Sequence, residues 1–150
     1  MHSLPVNYLA VLVAGIVIFV LGGLWYSPVL FATKWIALQG RTEEQMRAQA
    51  ASANMPVMYL SAFICGLLTA WVLALIMAHV TNSMGITTNG ASVWAAHGAL
   101  VGFVSWLGFA AATSYATALF SGKPKLLWLI DSMYNLASFV IAGMILAVWR

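Results

Sequence analysis

Charge is what this sequence has least of. Only 6% of its 150 residues are Asp, Glu, Lys or Arg. A soluble globular domain carries roughly a quarter, so the chain lacks the polar surface with which such a domain covers itself. Six Lys and Arg in total are too few for a basic stripe that tracks a phosphate backbone, which argues against a nucleic-acid partner. The single cysteine, Cys65, excludes an internal disulfide and a Cys-rich metal site, and reads as a small apolar packing residue. Paired carboxylates, a nucleophile with its base and a Gly-rich phosphate loop are all missing, so the sequence points to no enzyme and no cofactor.

What is there instead is hydrocarbon. Hydrophobic residues make up 63% of the chain and its mean hydropathy is +0.96. Seven Trp and five Tyr add amphipathic rings of the kind that collect where hydrocarbon meets headgroups. Four apolar runs reach the ~20 residues that a spanning helix needs: about Val6 to Tyr26, Val57 to His79, Val93 to Leu119 and Leu126 to Trp149. Asp131 is the one charge inside them. The expectation is an all-α, integral membrane four-helix bundle, a single transmembrane domain over residues 1–150 with membrane lipids around it. The first run reads as retained rather than cleaved. No Lys or Arg precedes it, it exceeds the ~7 to 15 apolar residues of a signal core, and no small-x-small site follows Leu24.

The few positive charges give a direction. Lys34, Arg41 and Arg47 follow the first run and Lys123 and Lys125 follow the third, whereas Arg150 alone falls on the other side. Positive residues are retained inside, which places these two loops in the cytoplasm and both termini outside. The first of these loops, about 27–56, carries two helix signals. Ser27 as N-cap and Pro28 in the first turn open a short amphipathic interfacial helix through Phe31, Trp35 and Leu38 that Gly40 stops. Thr42 and Gln45 then make a capping box for a polar helix from about Glu43 to Ala53.

Helices in lipid associate by close backbone approach, so small residues four apart mark contact faces. The second run carries Ala62, Gly66, Ala70, Ala74 and Ala78, the third Gly98 and Gly102, the fourth Gly143 and Ala147, and the first Ala14 and Gly22. These rows predict packing within the bundle, with a dimer contact through Gly98 and Gly102 as the rival.

Chemistry, if any, has to involve Asp131. Asn135 and Ser138 follow it at four and seven residues, on one helix face, and an intramembrane carboxylate is costly without a partner. Asp131 falls roughly 10 Å along its helix from Pro124, within reach of water, Lys123 or Lys34. Two roles follow: a proton- or cation-handling group on a polar path through Asp131, Asn135 and Ser138, or a structural hydrogen bond to Tyr26, Thr113, Ser114 or Thr117. His79 and His97 share a depth near the opposite face, with His2 beyond them. Two imidazoles without a carboxylate or thiol fall short of the three or four ligands of a metal site, so interfacial hydrogen bonding is the expected role and no metal is expected.

The stretch Gly22-Gly23-Leu24-Trp25-Tyr26-Ser27-Pro28, followed by Leu30-Phe31, Lys34-Trp35 and Gly40, resembles the small bacterial membrane proteins grouped as domain-of-unknown-function family 1761. Leu119-Phe120-Ser121-Gly122-Lys123, Trp128-Leu129-Ile130-Asp131 and the closing Gly143 to Trp149 run are similar to that family's last span. The resemblance implies a four-helix protein of the bacterial inner membrane and carries no activity with it. Two classes of function therefore stand open: a non-enzymatic scaffold or accessory subunit that packs against a copy of itself or another membrane protein, and a small oligomeric transporter or channel.

Overall fold

The computed structural model describes residues 6–85 and 90–149, with the side chain of Glu43 left aside. Among the described residues all regular structure is helical. Helix α1 (Tyr8–Trp25) opens on Asn7, whose Oδ1 accepts the Leu9 and Ala10 N–H groups at 3.0 and 3.2 Å, two donors a helix start otherwise leaves unpaired. Two short helices follow, α2 (Ala32–Leu38) and α3 (Glu43–Ser52). Thr42 and Gln45 form the reciprocal capping box of α3 at 3.2 and 3.1 Å. Helix α4 (Met55–Met84) starts from Asn54 with Pro56 in its first turn and ends at Gly85, whose φ of 58° is the left-handed geometry glycine adopts at low cost. The third long rod runs from Ala91 to Phe120 as α5 (Ala91–Ser105), a π-helical stretch (Trp106–Ala111) and α6 (Ala112–Phe120), and α7 (Lys125–Val148) follows. The four long rods are long and apolar enough to cross a membrane.

Each rod runs antiparallel to the one before it. α1 pairs with α4, and α5 pairs with α7 most extensively of all; α7 also touches α1, α2, α4, the π-helical stretch and α6. The interior is built of alanine more than of bulk: Ala10, Ala14, Ala70, Ala142 and Ala147 are nearly or wholly enclosed, with Leu73, Met77 and Leu146 between them. Small side chains let the helix backbones come close, which is how helices gain packing energy when the surroundings are themselves apolar. A Cβ on Gly66 would sit 3.3 Å from the Gly15 carbonyl oxygen, and one on Gly98 would run into the Gly143 carbonyl and lie 2.7 Å from the Ala147 Cβ. A Cβ on Gly102 would meet the Phe139 carbonyl. The Gly98 and Gly102 face is thus covered by α7 of the same chain, which removes it as the dimer contact entertained above. Within the second row, Gly66, Ala70 and Ala74 are buried and Ala78 half-buried, but Ala62 is exposed, as is Cys65.

Two local expectations change. Ser27 and Pro28 do not start α2. The Ser27 hydroxyl donates backwards to the Leu24 carbonyl at 2.7 Å, closing the end of α1, and residues 27–31 form turns whose N–H groups reach the Ser27 and Trp25 carbonyls. α2 begins only at Ala32, because those turn bonds use the positions a helix from Pro28 would need; Gly40, at φ 67°, follows its end. The third rod is also not one α-helix. The π-helical stretch inserts a residue into its register, so the buried positions 98, 102, 105 and 106 are followed by 111 and 118 rather than by a simple continuation.

Candidate functional site around Asp131

Three segments bring side chains to Asp131. Trp25 and Tyr26 stand where α1 ends, the turn and α2 carry Trp35 back over them, and Lys123 sits in the turn that leads into α7, eight residues before Asp131. The Tyr26 hydroxyl donates to Asp131 Oδ1 at 3.0 Å and the Trp35 indole Nε1–H donates to the same oxygen at 2.9 Å. The Lys123 ammonium donates to Oδ2 at 2.6 Å. Both carboxylate oxygens are therefore engaged, one by two neutral donors and one by a cation, and charge-assisted bonds of this kind are about twice as strong as neutral ones. The Lys123 and Asp131 side chains keep 35% and 27% of their surface exposed, so the pair stands at the edge of the bundle rather than in its interior. Tyr26 lies just past the end of α1, and burial followed by the adjacent Asp131 charge holds its phenol well above the ordinary range, so it remains a donor.

The aromatic rings are packed as a wall behind these bonds. Tyr26 meets Trp35 and Tyr134 edge-on at centroid separations of 5.3 and 5.5 Å, and Trp25 lies 4.9 Å from Phe31. Gly22 leaves the room that Tyr134 fills: a Cβ there would sit 3.0 Å from the Tyr134 hydroxyl, which donates to the Ile18 carbonyl at 3.3 Å.

A second set of bonds is aimed at the α7 backbone. Trp25 Nε1–H donates to the Ile130 carbonyl at 3.1 Å, Asn135 Nδ2 to the Asp131 carbonyl at 3.1 Å and Trp106 Nε1–H to the Ser132 carbonyl at 3.0 Å. Three consecutive carbonyls of one helix thus each take a side-chain donor, using the second lone pair that the helical bond leaves free. Trp25 comes from α1, Trp106 from the start of the π-helical stretch, and α7 is fixed between them.

The motif and its distant acid are thus adjacent. A model of the family described as "Protein of unknown function (DUF1761)" matches residues 9–147. The chain belongs to the DUF1761 family. No curated protein and no solved structure matches it.

In this DUF1761 protein the other expected neighbours of Asp131 lie elsewhere. Thr113 and Thr117 are exposed and return their hydroxyls to carbonyls of their own helix, Phe109 at 2.6 Å and Thr113 at 3.1 Å. Ser114 faces α7 but accepts from Trp128 Nε1–H at 3.0 Å. The inserted residue of the π-helical stretch turns positions 113 and 117 outward, which a straight helix would not do. Lys34 is exposed and takes no part. The face Asp131, Asn135, Ser138 does not form a continuous string of free polar groups: Asn135 bends back to its own helix, and Ser138, like Ser132, is buried in the bundle.

Sequence reasoning reached Tyr26 and Lys123 but not Trp106 or the geometry of Trp35. The available signal was chemical: an indole N–H enclosed in an apolar bundle needs an acceptor, and Trp106 lies four residues past Gly102 on the face that meets α7. At the other end of the bundle, His97 Nε2 lies 3.4 Å from the Thr81 hydroxyl and His79 is exposed. Among the described residues no three His, Cys, Asp or Glu side chains gather; His2 lies outside them.

Proposed function

We propose that this protein is a non-enzymatic integral membrane protein, a four-span bundle that serves as a scaffold or accessory subunit, and that the cluster at Asp131 is its structural clamp. The observation that carries this reading is the engagement of both Asp131 oxygens. Three donors from α1, α2 and the turn before α7 engage its two oxygens, so the carboxylate is occupied in tying the chain to itself. The polar face beyond it is partly turned inward, Asn135 donating to the Asp131 carbonyl of its own helix. The uncovered faces of the long helices, rich in Leu, Ile, Val and Phe, suit lipid and the helices of a partner or a second copy.

In the proposed setting α2 lies in the interface beside the clamp. The bias of Lys and Arg toward that end supports a cytoplasmic position for it, with both termini outside, in the bacterial inner membrane that the family resemblance implies. Purified protein in proteoliposomes is expected to carry no proton, cation or small-solute flux above empty vesicles from acid to alkaline pH. Flux that disappears in Asp131→Asn would replace the scaffold reading with a conducting one, and a lone monomer in native lipid with no bound partner would sink the scaffold itself.

A further inference from the structure

At the end of the bundle opposite the clamp, α1, α4 and α7 spread around a cup of about 470 Å³, inside the roughly 300–1,000 Å³ of small-molecule sites. Its floor is apolar, formed by Ala10, Ala74 and Leu146. Its rim carries hydrogen-bonding groups that come from two helices. Asn7 spends its Oδ1 on the start of α1, which leaves its Nδ2 amide as a donor. Asn82 offers an amide with both polarities, and Thr81 offers a hydroxyl held by the His97 imidazole of α5. Among the described residues no charged side chain lines the cup.

We propose that this cup binds a neutral, single-chain amphiphile with a hydroxyl-bearing head, such as a long-chain alcohol or a monoacylglycerol. An alkyl chain gains from burial against the alanine and leucine floor. A hydroxyl both donates and accepts, matching the two polarities that the Asn82 amide and the Asn7 N–H2 offer, whereas among the described lining residues an ionic head meets no counter-charge. The site stands apart from the clamp and does not depend on the scaffold reading.

The test uses the full chain in phosphatidylcholine nanodiscs and a dodecanol carrying a photoreactive diazirine at the end of its chain. Labelling is expected to saturate, to map to residues 74–82 and 146–149, and to be competed by plain dodecanol more effectively than by dodecanoate or dodecyltrimethylammonium. Ala78→Phe, which fills the cup, and the double change Thr81→Val with Asn82→Leu, which removes the rim groups, are each expected to weaken competition about tenfold, the equivalent of one good hydrogen bond or more. Because the double change lies at the half-buried to exposed rim, it leaves the core intact even where the larger side chain does not fold. Labelling that never saturates and spreads along the outer helix faces, equal competition by either charged amphiphile, or wild-type competition in the double variant would each overturn the proposal.

Discussion

Asp131 shows how one acid is made tolerable in an apolar chain. Its Oδ1 takes two donors from the α1–α2 segment, and its Oδ2 takes Lys123 from its own neighbourhood. Hydrogen bonds to charged groups contribute about 1.5–3 kcal/mol, with the lower part of that range apt for a group this close to water. Tyr26→Phe and Trp35→Phe are each expected to lower the unfolding free energy by about 1–2 kcal/mol. Because both donate to one oxygen, the double variant should lose less than the sum; thermal or steric-trap unfolding in detergent measures the cycle, and simple additivity would argue that the two bonds act separately. The Tyr26 contact was legible in the sequence because depth alone aligns the end of the first span with the start of the fourth. The Trp35 contact was not, since it depends on a turn at residues 27–31 whose bonds run back to Ser27 and Trp25, a geometry that the Ser-Pro pair disguises as a helix start.

Among the helices, the third rod departs most from what its sequence announced. Its small-residue spacing marks Gly98 and Gly102 as a packing face, and the structure sets that face against α7, because close approach leaves a visible mark in glycine. Beyond it, the π-helical stretch resets the register, and no residue there announces it: Gly108 faces open space. The consequence separates two kinds of glycine. Gly98→Ala and Gly102→Ala each push a Cβ into the α7 backbone, and overpacking of this kind typically costs about 1–3 kcal/mol. Gly108→Ala meets nothing and is expected to stay within about 0.5 kcal/mol of wild type. Denaturation midpoints of the three variants check the contrast; equal gains at all three positions would mean that helix propensity rather than close approach sets the effect.

For the molecule as a whole, the number and placement of the long helices were legible because each hydrophobic run is bounded by turn and cap residues. The structure lengthens α4 to Met55–Met84, beyond the expected 57–79, since Asn54 and Pro56 start it earlier and Thr81 to Met84 continue it past His79. Which side each end faces rests on five Lys and Arg at one end. In intact cells, a membrane-impermeant maleimide is expected to label Ser83→Cys and to reach Ala50→Cys on α3 only after the membrane is opened, both in a Cys65→Ser background. The reverse pattern would invert the orientation.

The position of α7 in the chain has a consequence for biosynthesis. Two of the bonds that fasten this region join residues 105 apart, and α7 is the last of the described helices to emerge from a ribosome. Until it arrives, Gly98 and Gly102 present a bare groove, Trp25 and Trp106 hold indole N–H groups with no acceptor, and Tyr26 and Trp35 have no acid to bind. A nascent chain arrested before α7 therefore displays several unmet demands at once. Arrival of a single helix answers them together, so a chain truncated before Lys125 is expected to be degraded faster than the full-length protein.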